Sequence, residues 1–184
     1  MLEFTRITAP DHPLFPRAFA LYEQSFPIHE QRTREKQEKV LSHPDYHYEV
    51  ILEGGSFVGI LLYWEYRDGR YVEHFAIDPA LRGQNYGSRA LQALGERGRP
   101  IVLEIDPPVE AVSIRRKHFY EKLNFRENPF SHVHPPYRPG FQGHDLVVMT
   151  YPEPWGKEKY EAFASYLAET VMADCRDINR QKAR

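Results

Sequence analysis

Between Pro13 and Pro27 the aromatic residues Phe15, Phe19, Tyr22 and Phe26 recur at helical spacing, which predicts an amphipathic helix stopped by Pro27. The charge-rich stretch Glu30 to Ser42, ending before Pro44, reads as an exposed second helix. The period then changes to two. Tyr48, Val50 and Leu52 alternate, Gly54-Gly55 breaks the run, and a long strand follows from Phe57 to Tyr66. Arg67-Asp68-Gly69-Arg70 separates it from Tyr71 to Ile77, and an Asp-Gly pair between apolar strands predicts a hairpin. Helical period returns from Tyr86 to Arg97, with Gly87, Leu91 and Leu94 on one face and Gly98 as a stop. Ile101 to Ile105 predicts a buried strand, Ala111 to Leu123 a helix, and Leu146 to Tyr151 a last strand beyond a loop rich in Pro, His and Gly.

The order ααβββαβαβ describes a mixed α/β domain, taken as residues 1–152. Beyond Pro152 and Pro154, Tyr160, Phe163, Leu167 and Val171 are spaced like one more amphipathic helix. That segment, within 153–184, is expected either to cap the core or to pair two subunits as a homodimer.

Charge changes the picture little: 24 basic and 26 acidic residues leave a formal net charge of -2, so the field of the whole chain gives no reason to expect nucleic acid. No apolar run approaches the ~20 residues that span a bilayer, so neither a membrane anchor nor a signal peptide is expected. The lone Cys175 excludes an intramolecular disulfide and fits a cytoplasmic location. Small polar substrates stay open.

Two stretches carry chemistry. Arg82-Gly83-Gln84-Asn85-Tyr86-Gly87-Ser88 lies between a strand and a helix, where the first free N–H groups of the helix form an anion site that a pyrophosphate can approach closely. Further on comes Arg115-Arg116-Lys117-His118-Phe119-Tyr120-Glu121-Lys122-Leu123-Asn124-Phe125. The first stretch, with the strand Ala76-Ile77-Asp78 before it, resembles the opening motif of the GNAT superfamily of N-acetyltransferases, Arg/Gln-x-x-Gly-x-Gly/Ala. The second resembles that family's later Arg-Arg-x-x-Phe-Tyr-x-x-x-Gly-Phe helix. Asn85 and Asn124 stand where the family has glycine. Asn enters the left-handed backbone region more readily than other non-glycine residues, so both turns are expected to survive. His134-Pro135-Pro136-Tyr137 and Leu146-Val147-Val148-Met149 are similar to a Pro-Pro-Tyr loop and final strand in one bacterial branch.

The resemblance implies a mostly antiparallel mixed sheet flanked by helices, with the C-terminal helix added, and transfer of an acetyl group from acetyl-CoA to a primary amine of a small molecule or peptide. It implies cofactor contacts from Phe75, Ala76, Ile77, Arg82, Gly83, Gln84, Asn85, Tyr86, Gly87, Ser88 and Ser113. Main-chain N–H groups of the strand Phe75-Ala76-Ile77 would hold the thioester carbonyl, each such donor commonly contributing ~3–4 kcal/mol to an oxyanion. Tyr120 would protonate the departing thiolate. For the base, Glu73 shares strand parity with Phe75 and Ile77, with His74 on the opposite face. Glu73 is the candidate, although the same position suits a structural ion pair. Glu104, opposite in parity to Leu103 and Ile105, either projects into the cleft to hold a cationic amine or sits at an edge. Phe26, Glu30 and Arg32 fall in the break that borders the family's acceptor pocket. His132, His134 and His144 raise a metal site, but no cysteine or helix-borne carboxylate joins them at ligand spacing, and none is expected. The rival reading is a catalytically silent acyl-CoA-binding or sensor domain.

Overall fold

A computed structural model describes residues 1–175; the last part of the C-terminal tail, 176–184, lies outside the described residues. The elements run β1 (Leu2–Ile7), α1 (Phe15–Ser25), α2 (Arg34–Val40), β2 (Tyr46–Glu53), β3 (Ser56–Tyr66), β4 (Gly69–Ile77), α3 (Tyr86–Glu96), β5 (Ile101–Ile105), α4 (Ala111–Lys122), β6 (Arg126–Glu127), β7 (His132–His134), β8 (His144–Tyr151) and α5 (Lys157–Tyr166). The sheet order is β1-β2-β3-β4-β5-β8-β6, with β7 paired to β8. All pairs are antiparallel except β4 with β5. This is the expected mixed, mostly antiparallel sheet with flanking helices.

Each face of the sheet buries its own core. Phe15, Phe19 and Tyr22 of α1 pack with Tyr48, Trp64 and Tyr71 on one face, and α5 adds Phe163. On the other face Ala90, Leu91 and Leu94 of α3 meet Leu61, Val72 and Met149. The C-terminal stripe therefore caps the core within its own chain: Phe163, Leu167 and Val171 are buried there, and half-buried Tyr160 stacks on Phe130 with ring centroids 4.3 Å apart.

Three expectations need correction. Strand β1 did not stand out in the sequence, because Leu-Glu-Phe-Thr-Arg-Ile buries only Ile7 fully and is held by its long-range pairing with β2. The second helix is shorter than Glu30 to Ser42. Ile28–Glu30 forms a single 3₁₀ turn, and α2 starts after Thr33, whose hydroxyl accepts from the Lys36 amide. Nor is that segment simply exposed, since Arg32 and Gln37 are fully buried. The third correction is to strand parity. Leu62 pairs with His74 but Tyr63 pairs with Val72, so Glu73 is an extra residue in β4, a β-bulge. The bulge turns Glu73 and His74 to the same face, toward Arg32 and Tyr22 respectively, while Phe75 and Ile77 pack on the other.

Both glycine-position asparagines adopt the left-handed conformation, Asn85 with φ 63° and Asn124 with φ 67°. A side chain without Asn's local hydrogen bonding is strained there by ~1–2 kcal/mol. Asn124→Ala should therefore lower the melting temperature by roughly 2–8 °C while Asn124→Gly leaves it near the parent value, as calorimetry would show.

Candidate active site

β4 and β5 pair only from Arg70–Val72 to Ile101–Leu103. Beyond Val72 the two strands diverge, and among the described residues the β5-facing edge of β4 has no strand partner. A cavity of about 910 Å³ opens at this fork, lined by residues of β4, β5, the turn before α3, α4 and β7. Arg82, Gly83, Asn85, Tyr86, Gly87 and Ser88 line it, as do Phe26, Glu30, His134 and His144.

The turn fits an anion. No side chain caps α3, so its first N–H groups are left for a ligand. Gly83 has φ 78° and Asn85 follows in the same region, which folds the chain back under the helix. A Cβ on Gly87 would touch the Phe119 ring of α4 at 3.4 Å, so a side chain reaching further would press on that ring. Arg82 Nε donates to the Ile77 carbonyl at 3.3 Å, tying the turn to the end of β4. Two of the expected contacts are not brought to the cavity. The Gln84 amide turns back to the Ala80 carbonyl, and Ser113 is a buried member of a capping box with Glu110, its hydroxyl accepting from the Glu110 amide at 3.1 Å.

Tyr120 lines the cavity from α4, with its ring edge-on to Phe119 and Phe125 at 5.1 and 5.5 Å. Its hydroxyl has no hydrogen-bond partner among the described residues, and burial pushes it up to about 12. It is therefore a phenol, not a phenolate, at any working pH.

Of the two readings of Glu73, the geometry matches the structural ion pair. Its side chain is fully buried, and its carboxylate accepts from Arg32 Nη1 at 2.5 Å, Trp64 Nε1 at 2.8 Å and the Tyr137 hydroxyl at 2.9 Å. Burial alone would raise its pKa, but the Arg32 guanidinium and the hydrogen bonds hold it below the usual carboxylate range. Arg32 in turn donates to the Val171 carbonyl at 2.7 Å and lies over the Tyr137 ring. A carboxylate saturated by three donors is poorly placed to take a proton from an amine. Glu73 keeps the face of Tyr71, and the bulge, invisible to a parity argument, puts Phe75 and Ile77 on the other.

Glu104 does project into the cavity, together with His134 and Tyr137. Its carboxylate accepts from the Tyr71 hydroxyl at 2.5 Å and from His132 Nε2, and it lies 3.9 Å from His134 Nε2. Burial pushes it up, yet the neighbouring His134, His132 and Tyr71 outweigh burial and keep it ionised. Phe26 packs edge-on against His74, whose Nε2 is 2.8 Å from the Glu30 carbonyl; burial lowers His74 to about 4, so it is neutral. The Glu30 carboxyl is raised by burial and by Asp106, and lies 4.0 Å from His144. Sequence reasoning missed His134, Tyr137 and His144 as parts of this site. The His-x-His alternation and the Pro-Pro-Tyr run were visible, but nothing local tied them to β5. Among the described residues no group of three or more His, Cys, Asp or Glu side chains is placed to hold a metal ion.

The fold that carries this forked β4–β5 pair and the uncapped start of α3 is the α/β fold of GNAT acetyltransferases. The chain belongs to the acetyltransferase (GNAT) family, whose sequence pattern matches residues 12–125. It is 32% identical to a structure from Bacteroides thetaiotaomicron described as an acetyltransferase of the GNAT family, with TM-score 0.87, covering 92% of this chain and 97% of that one. The ribosomal-protein-S18-alanine N-acetyltransferase from Escherichia coli shares the fold at 21% identity and TM-score 0.53, over 86% of this chain and 97% of that one. An aminoglycoside 6′-N-acetyltransferase complexed with coenzyme A does so at 16% identity and TM-score 0.56, over 84% and 99%. A search of curated protein sequences finds no significant match. Among the described residues no helix is long and apolar enough to cross a membrane.

Proposed function

We propose that the protein transfers the acetyl group of acetyl-CoA to a primary amine of a small molecule or peptide, by direct attack with both substrates bound. The observation that carries this reading is the single cavity joining the uncapped turn of α3 to the free edge of β4 and to Tyr120. In it, amides of Gly83 and of residues 85–88 cradle the pyrophosphate of CoA, and the unpaired edge of β4 over Phe75, Ala76 and Ile77 faces the thioester carbonyl. Tyr120 gives its proton to the sulfur as the C–S bond breaks. The amine enters past Phe26, Glu30 and Glu104, whose carboxylates attract a cation. Glu73 serves as the anchor that, with Arg32, fixes the bulge and so the path of β4. The loop carrying Tyr137 closes over that anchor, which supports the Pro-Pro-Tyr branch of the family. The CoA-bound aminoglycoside enzyme of the same fold adds support for the cofactor.

Thiol release from acetyl-CoA, screened over polyamines, aminoglycosides and peptides with free N-termini, tests the reaction. Binding of CoA with no thiol release from any amine would favour the silent acyl-CoA binder instead. The cradle is tested separately by Gly87→Val, whose methyl groups extend beyond a Cβ position already in contact with the Phe119 ring. It should weaken CoA binding by roughly 10–100-fold in calorimetry, the scale of overpacking a tight contact. Unchanged affinity with an intact fold would move the cradle elsewhere.

A further inference from the structure

We propose that His134 is the base that takes the proton from the acceptor ammonium, and that Glu104 holds the positive charge His134 acquires. The inference rests on the acyl-transfer reading above. It starts from strand alternation: His132 and His134 lie on one side of β7, which pairs with β8 through His132–Leu146 and His134–His144 and so delivers both imidazoles to the end of β5.

The tautomer of His134 follows from its neighbours. Nδ1 is 2.6 Å from the Pro135 carbonyl oxygen, which can only accept, so Nδ1 carries the hydrogen. In the neutral ring that hydrogen is the only one, and Nε2 is then a bare lone pair. That atom is buried, has no hydrogen-bond partner among the described residues, and belongs to a ring that lines the cavity. A buried acceptor without a donor is unusual and points to a ligand that donates. An ammonium group is such a ligand.

Glu104 completes the pair. Its Oε2 lies 3.9 Å from Nε2, ready to form an ion pair once His134 is protonated. The Tyr71 hydroxyl and His132 Nε2 hold that carboxylate in place, and His132 Nδ1 is 3.0 Å from the Tyr160 hydroxyl of α5. Tyr71, His132 and Tyr160 are thus positioning residues, and the C-terminal helix reaches the chemistry through them. His74 also has a bare buried nitrogen, but its ring is clamped edge-on by Tyr22 and Phe26 at 4.9 and 4.7 Å, and the nearest carboxylate, Glu73, already belongs to Arg32. The charged or titratable groups facing His134 are Glu104 on β5, His144 on β8, Tyr137 stacked at 4.8 Å, and Glu30 and His74 across the cavity.

The protons balance. The ammonium gives one proton to Nε2, and the free amine attacks the thioester carbonyl carbon, forming C–N. The C–S bond breaks, the thiolate takes the Tyr120 proton, and the second proton shed by the nitrogen restores Tyr120. His134 returns its proton to water as products leave, so one proton is released for each ammonium acetylated.

Long-range ¹H–¹⁵N NMR of the imidazoles tests the assignment without any acceptor. The expected spectrum shows neutral His134 as the Nδ1–H tautomer, with the Nε2 resonance moved by Glu104→Gln. The Nε2–H tautomer, or an Nε2 resonance indifferent to Glu104→Gln, would overturn the proposal. With an amine that the parent acetylates, His134→Gln should lower kcat by roughly 10²–10³ with KM and CoA affinity unchanged, the deficit shrinking as pH rises and the amine deprotonates unaided. Parent-like kcat across that pH range would likewise refute it. A parent protein that binds CoA but releases thiol with no amine would bring down the acyl-transfer reading itself, and the base role with it.

Discussion

Tyr120→Phe is expected to lower kcat by roughly 10²–10⁴ while CoA binds as tightly as before, the usual scale for losing a positioned acid. The substitution removes one oxygen and leaves the ring in its edge-on contacts with Phe119 and Phe125, so α4 and the left-handed Asn124 that ends it keep their geometry. Because burial holds Tyr120 at about 12, the hydroxyl is in its donating form wherever the enzyme can be assayed. The proton it gives the thiolate is replaced by the one the attacking nitrogen sheds, so a high pKa does not stall turnover. Thiol release with saturating amine gives kcat and titration calorimetry gives the CoA affinity. Parent-like turnover in the variant would take the acid role away from Tyr120.

The largest effect on stability is expected from Arg32→Met. Removing one partner of a buried ion pair leaves an uncompensated buried charge, which costs about 3–5 kcal/mol. Both side chains are fully buried, with the Arg32 Nη1 to Glu73 Oε1 distance at 2.5 Å. For a domain of this size that corresponds to a fall of roughly 6–20 °C in melting temperature. Adding Glu73→Gln to Arg32→Met should recover part of the loss, since the charge left behind is then gone.

The pH dependence has a definite sign. The Glu73 carboxyl titrates below its ordinary value near 4.5 in the folded protein, so its contribution is complete above that value and is lost as pH falls through the lowered folded value. The gap between parent and Arg32→Met should therefore be wide at neutral pH and narrow in acid. Chemical denaturation at the two pH values measures it. An equal gap at both would mean that Glu73 is not the group Arg32 stabilises.

Much of the molecule was legible in local pattern. Periods of 3.6 and 2 located α1, α3, α5 and the strands β2 to β4, because each buries a face whose spacing is set by its own backbone geometry. The glycine-position residues Asn85 and Asn124 announced left-handed backbone, since few other side chains tolerate it, and the turn before α3 and the place of Tyr120 followed from the motifs around them.

Only the tertiary structure decided the rest. A bulge is one extra residue in a strand, and alternation read from sequence cannot see it; it separated Glu73 from Phe75 and Ile77 and left it with Arg32, a residue 41 positions away. Arg32, placed by the sequence at a break bordering the acceptor pocket, lies outside the cavity and under the core instead. Ser113 and Gln84 found partners within their own turns. His134, His132 and Glu104 meet because β5 and β7 both contact β8, a relation carried by strand pairing across the sheet. Local sequence determines which elements form and which faces are apolar, whereas the environment of a buried polar group is made by residues far apart in the chain.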